Sequence, residues 1–162
     1  MNELEALYRQ HAPAVLRFAL GLSGDRALAE DLVSETFVKV LTKAPRIETR
    51  TALAYLLAVA RNTFLSGLRG RRKEVTLPEA LVAPDVDPAH RLAEAARLGT
   101  VLEALRHLPE GERSALLLRV DHELSYEEIA SALGISETAA KVRVHRARVR
   151  LARAGSQQGE PR

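Results

Sequence analysis

Ser125-Tyr-Glu-Glu-Ile-Ala-Ser-Ala-Leu-Gly-Ile-Ser136, followed by Glu137-Thr-Ala-Ala-Lys-Val-Arg-Val-His-Arg-Ala-Arg-Val-Arg150, spells two helices and the tight turn between them. Ser125 can cap the first helix, and Glu128 stands three residues later, the spacing of a capping box. Ile129, Ala130 and Leu133 form one apolar stripe at helical period. Gly134 follows Leu133, where a helix commonly ends on a residue able to take positive φ. Ser136 can then cap the second helix, and the small Ala130 lets the two helices approach closely. The pattern is a helix-turn-helix, whose second helix lies in the major groove of duplex DNA.

Charge on the second helix points the same way. Ala140, Val144, Ala147 and Leu151 recur at i, i+4, i+7 and i+11 and so face a core. Lys141, Arg143, His145, Arg146, Arg148, Arg150 and Arg153 occupy the rest of the surface, with no acid between Lys141 and Arg153. Alone, such a run is a solvated basic face. Behind a capped turn it is the footprint of phosphate binding.

With 162 residues the chain can hold one medium domain or two small ones. It contains no cysteine, which excludes disulfides, thiolate catalysis and Cys-ligated zinc and fits a reducing cytosol. No apolar run reaches membrane-spanning length, and the start Met-Asn-Glu-Leu-Glu lacks a signal-peptide pattern, so a cytoplasmic protein without membrane insertion is expected. The net charge of +3 is unevenly placed. Residues 1–73 carry 12 Lys/Arg against 7 Asp/Glu, residues 74–98 carry 2 against 5, and residues 99–162 carry 10 against 9. Basic lobes flanking an acidic middle suit contact with nucleic acid at two places.

Along the chain, Leu4, Leu7, Tyr8, Val15, Phe18, Ala19 and Leu22 predict a helix from 3 to about 22, which Pro13 should kink or split. Gly21, Ser23 and Gly24 mark its stop. Asp25 can cap a second helix running to about Lys43, with Leu28, Leu32, Thr36, Phe37, Val40 and Leu41 on its apolar side. Its other face holds Glu30, Asp31, Ser34 and Glu35, which alone would serve solubility. The loop 44–51 carries Pro45, Arg46 and Arg50. A third helix spans about 52–69 and leads into the cationic cluster Arg69-Gly-Arg-Arg-Lys73. Residues 74–90 read as an acidic, Pro-rich linker, which predicts variable spacing between the lobes it joins. A helix rich in Leu and Ala then runs to Pro109, and another covers 110–120 with Leu116, Leu117 and Val120 inside. The tail 155–162 reads as disordered. The expected architecture is all-α: a domain at 1–73, a flexible linker at 74–90, and a second helical domain at 91–154 that contains the helix-turn-helix.

Three segments in this order resemble the small, two-domain sigma factors of bacterial RNA polymerase, the extracytoplasmic-function type. Ala29-Glu-Asp-Leu-Val-Ser-Glu-Thr-Phe37 is similar to the family's region 2 helix. Leu56-Leu-Ala-Val-Ala-Arg-Asn62 with Arg69-Gly-Arg-Arg72 is similar to that region's promoter-recognising helix. Leu108-Pro-Glu-Gly-Glu-Arg113, together with the helix-turn-helix, resembles region 4. Tyr55, Ser66-Gly67 and Thr138-Ala139-Ala140 depart from the residues usual in the family.

The resemblance implies a function: binding the polymerase core and directing promoter-specific initiation, by recognising and melting the minus-10 element and binding the minus-35 element. The partners it implies are the core polymerase, through its β′ clamp and β flap, promoter DNA and, as in many relatives, an anti-sigma factor. It assigns Glu30, Asp31, Ser34, Glu35 and Val38 to the polymerase clamp. The loop 45–50 and third helix, with Arg46, Arg50, Tyr55, Arg61, Asn62, Arg69, Arg71, Arg72 and Lys73, fall to the minus-10 element. The recognition helix, with Ser136, Glu137, Thr138, Lys141, Arg143, His145 and Arg146, falls to the minus-35 element.

Two rivals stand beside it. A dimeric helix-turn-helix regulator would bind palindromic operator DNA without polymerase, but leaves the first half of the chain unexplained. An enzyme would need a catalytic constellation. The five histidines, His11, His90, His107, His122 and His145, are scattered. No phosphate-cradling Gly-rich loop, nucleophile elbow or carboxylate pair appears. No catalytic residue, metal site or cofactor is therefore expected.

Overall fold

The computed structural model describes residues 2–70 and 88–158. Among them are seven helices and no strand: α1 Glu3–Ser23, α2 Arg26–Thr42, α3 Ala52–Gly70, α4 Pro88–Arg106, α5 Glu110–Val120, α6 Tyr126–Leu133 and α7 Glu137–Gln158. Arg71, Arg72, Lys73 and linker positions 74–87 lie outside the described residues.

Helices α1–α3 build the N-terminal domain. The Asn2 side chain accepts from the Glu5 amide at 2.8 Å, and the Asp25 carboxylate accepts from the Leu28 amide at 3.1 Å. Each satisfies one of the amide donors that a helix start leaves orphaned. Thr51 does the same for α3 through the Ala54 amide. Val15, Phe18, Leu22, Leu32, Leu56 and Leu57 are buried at the centre of this domain. Thr36 and Thr63 share that interior, and their hydroxyls donate to the carbonyls one turn back, Leu32 and Val59, so neither buries an unpaired polar group.

Pro13 does not split the first helix. It sits on an exposed side of one continuous α1, where the lost backbone hydrogen bond leaves the buried side intact. Leu41, placed on the apolar side of α2 by periodicity, is 56 % exposed in the last turn before α2 ends at Thr42.

In the C-terminal domain α5, α6 and α7 pack together, with Leu118, Ile129, Ala140, Val144 and Ala147 essentially inaccessible. On α5 the buried side is Ala115, Leu116 and Leu118. Val120, expected inside, is exposed at the last residue of the helix. On α6 the buried small residue is Ala132, while Ala130 is half-buried. Helix α4 starts at Pro88, inside the stretch read as linker, because proline is well tolerated at a first helical position. Helix α7 continues to Gln158, so residues 155–158 of the expected disordered tail are helical, and Gly155 is carried by the turns before it.

The linker composition predicts variable spacing, yet the two domains pack directly on one another. The sequence places Gly21 in a helix stop. It is instead a buried notch in α1, where an added Cβ would lie 2.8 Å from Leu117 Cδ1 on α5. Arg113 on α5 donates to the carbonyl of Leu22 in the last turn of α1, placing a cation where that helix exposes negative carbonyls. Arg17 pairs with Asp121 at 3.1 Å, and the His122 ring meets Phe18 edge-on with centroids 5.7 Å apart.

Candidate polymerase and promoter surfaces

Local chemistry builds the helix-turn-helix as its spacing predicts. Ser125 Oγ accepts from the Glu128 amide at 3.1 Å, and the Glu128 carboxylate accepts from the Ser125 amide at 3.3 Å, a complete capping box. Gly134 takes φ +66°, a left-handed conformation that costs an L side chain about 1–2 kcal/mol. Ser136 Oγ accepts from the Ala139 amide at 3.0 Å and opens α7.

The two sides of α7 differ in what they can reach. Thr138, Lys141, Val142, His145 and Arg148 form an exposed strip, with Ser136, Glu137 and Arg146 exposed beside it. Arg148 belongs to that strip although it was not among the residues assigned to DNA. Arg143 does not lie fully on it: its guanidinium rests where a Cβ on Gly111 would come within 2.9 Å of Nη1, at the start of α5. Arg150 turns the same way, to Glu112 at 2.9 Å. Lys141 lies 4.0 Å from Glu137, and its ammonium is 5.8 Å from the Tyr126 ring, over which Arg119 also stacks at 4.3 Å. The Tyr126 ring at the start of α6 thereby meets one cation from α5 and one from α7.

On α2, Ser34, Glu35 and Val38 are exposed and Glu30 and Asp31 half-exposed. Glu30 is held by Arg26 at 2.9 Å. One turn further, Val38 and Leu41 join Leu4, Tyr8 and Phe37 in an apolar groove of about 470 Å³ against α1.

Of the residues assigned to the minus-10 element, Arg46 and Asn62 border one cleft. Arg46 and Arg50 are exposed on the loop before α3, and Asn62 is exposed on α3. The Tyr55 hydroxyl donates to the Pro45 carbonyl at 2.7 Å and pins the loop to α3. Arg61 is only 12 % exposed and forms a two-point pair with Glu110, Nε to Oε1 at 2.7 Å and Nη2 to Oε2 at 3.1 Å. Burial pushes the Glu110 carboxyl up, but hydrogen bonds from Arg61 and Ser114 and the charges of Arg61 and Arg113 outweigh it, so its pKa is lowered. Arg69 lies in the last turn of α3, and Arg71, Arg72 and Lys73 lie outside the described residues. Glu110, Arg113, Asp121 and Glu127 meet the first domain through partners 49 to 104 positions away, so although Glu110 and Arg113 stand in the segment that resembles region 4, nothing local names what they pair with. No group of His, Cys, Asp and Glu fit to hold a metal occurs among the described residues.

Residues 7–74 match the model of sigma-70 region 2, and residues 98–151 that of sigma-70 region 4. These are the two modules of a promoter-specificity factor. The ECF RNA polymerase sigma factor SigE of Mycolicibacterium smegmatis is 37% identical over 93% of this chain and 61% of its own length. SigM of Bacillus subtilis is 32% identical over 91% of this chain and 92% of its own. Among solved structures, the sigma factor RpoE in complex with the anti-sigma factor NepR from Bartonella quintana aligns with a TM-score of 0.69 at 27% identity, over 93% of this chain and 95% of RpoE. CnrH in complex with the cytosolic domain of CnrY aligns with a TM-score of 0.71 at 25% identity, over 97% and 89%. The chain belongs to the extracytoplasmic-function sigma factors, non-enzymatic proteins that direct RNA polymerase to specific promoters. The dimeric-regulator alternative leaves the region 2 match unexplained and is not favoured.

Proposed function

We propose that this sigma factor works in the cytoplasm and divides its task among three surfaces. The acidic side of α2, with Glu30, Asp31, Ser34, Glu35 and Val38, meets cationic side chains of the polymerase clamp. Asp31 and Glu35, one turn apart, suit an arginine-bearing partner helix. The loop 45–50 and α3 hold the minus-10 element, Arg46, Arg50 and Arg61 against the strand backbone and Asn62 against a base. Tyr55 acts there by fixing the loop. Helix α7 reads the minus-35 duplex: Lys141, Arg146 and Arg148 on phosphate or guanine, Thr138 and His145 on base edges, and Val142 against a thymine methyl. Arg143, on α7, braces that helix against the start of α5.

The observation that carries this division is the exposed, acid-poor strip of α7 behind a fully capped turn. Its test uses holoenzyme on a fork template, duplex at minus-35 and single-stranded at minus-10. Lys141→Glu should abolish dependence on the minus-35 duplex while leaving use of the single strand. Arg50→Ala with Asn62→Ala should do the reverse. Equal loss of both by either variant would contradict the assignment. The linked arrangement raises the local concentration of each site at its element, so neither domain needs great affinity alone.

A further inference from the structure

The seam between the domains uses the same cations that the minus-10 assignment needs. Arg61 is paired with Glu110 at two points, and Glu110 is steadied by Ser114 Oγ, which donates to Oε1 at 2.6 Å. Arg50 donates to Glu127 Oε1 at 2.8 Å. Arg46 and Asn62 open into a cleft of about 480 Å³ whose other wall is Ser131, Ala132, Leu133 and Gly134 of α6 and its turn. A second cleft of about 200 Å³ lies between the loop residues Glu48, Thr49 and Arg50 and α6 residues Glu127 and Glu128. A planar guanidinium bound at two points by a carboxylate has the geometry with which it binds phosphate.

Helix α7 is treated differently. It packs against α4, α5 and α6, and its strip of Thr138, Lys141, His145 and Arg148 stays exposed. The closed arrangement engages Arg61 and Arg50 with carboxylates of the other domain, while Arg46, Asn62 and the α7 strip stay exposed.

We propose that the α5–α6 face is an acidic docking surface for the N-terminal domain, in which Glu110 and Glu127 occupy Arg61 and Arg50 in place of nucleic-acid phosphate. Single-stranded DNA and the C-terminal domain then compete for one set of cations. Engagement of the minus-10 strand requires the seam to open, whereas the minus-35 duplex can be bound before it does. This rests on the assignment of Arg50, Arg61 and Asn62 to the minus-10 strand.

The chain has no cysteine, so spin labels can be placed on the full-length protein through Gln10→Cys on α1 and Ala152→Cys on α7. Pulsed dipolar spectroscopy should give one narrow inter-domain distance. Glu110→Gln with Glu127→Gln should lengthen and broaden it, as should raised salt on the unsubstituted seam. The same double variant should bind a short fluorescein-labelled oligothymidine about fivefold tighter. A control removing equal charge away from the seam, Glu3→Gln with Glu103→Gln, should change neither reading. An unsubstituted chain that is already broad overturns the proposal, as does a distance indifferent to Glu110 and Glu127 or equal tightening by the control. Tightening that survives adding Arg61→Ala also overturns it, by showing that the minus-10 assignment beneath it is wrong even though the seam opens.

Discussion

His122 shows how a single residue ties pH to the seam. It stands in the turn after α5, against Phe18 of α1, with Asp121 Oδ2 3.3 Å from its Nε2. Burial pushes its pKa down from the ordinary 6.5, Asp121 pulls it back up, and Arg17 across the seam pushes it down; the net shift is downward. A histidine whose folded pKa is lowered is neutral in both states at high pH and costs nothing there. As pH falls below about 6.5 the unfolded chain gains a proton first, and stability is lost until the folded state protonates too. Glu110 adds a lower window: its pKa lies below the ordinary 4.5, so its contribution is present above that value and is lost as pH falls through the lowered one. Thermal unfolding followed by circular dichroism should show a Tm that is flat above neutrality and falls in two stages on acidification. His122→Gln should remove the upper stage, and a Tm that stays level from pH 7 to 5 would contradict it.

Two more residues carry predictions of size. Gly134→Ala should cost about 1–2 kcal/mol through its left-handed backbone. Ser125→Ala should cost about 1 kcal/mol by removing half of the capping box. Chemical denaturation measures both.

At the scale of the element, α7 was the most legible part of the chain. Its buried period of Ala140, Val144 and Ala147 and the caps at Ser125, Gly134 and Ser136 are local, and local rules predict them. The sequence could not show how seven cationic or ionisable side chains divide around the helix once α5 is packed beside it. Arg143 and Arg150 turn to Gly111 and Glu112, and the strip keeps Lys141, His145 and Arg148. Lys141→Ala should therefore weaken binding to minus-35 duplex more than Arg143→Ala does. It should also reduce the slope of log affinity against log salt by about 1. Titrations by fluorescence anisotropy at several salt concentrations test this, and equal slopes for the two variants would contradict it. The errors in α1, α2 and α5 share a cause. Periodicity names a side of a helix, but exposure at Val120 and Leu41 and burial at Gly21 depend on where each helix ends and on what its neighbour places there.

Over the whole molecule, the all-α class and the division into regions 2 and 4 were readable because three motifs keep their order and spacing. The packing of the domains was not readable. It depends on pairs such as Arg61–Glu110 and Arg50–Glu127, distant in sequence and individually unremarkable as charges on helices. A Pro-rich linker predicts freedom of spacing, but a notch at Gly21, a guanidinium on the Leu22 carbonyl and three cross-domain ion pairs restrict it.

On the proposed function, both ends of the chain act together to give RNA polymerase its choice of promoter. Run-off transcription tests it most directly: the purified chain is mixed with sigma-free core polymerase and a library of upstream regions, and the transcripts are sequenced. Starts should cluster at defined positions behind two shared elements, disappear with Asp31→Arg, and lose the upstream element with Lys141→Glu. Transcripts no different from those of core polymerase alone, together with tight binding of palindromic duplex by the chain as a dimer, would contradict it.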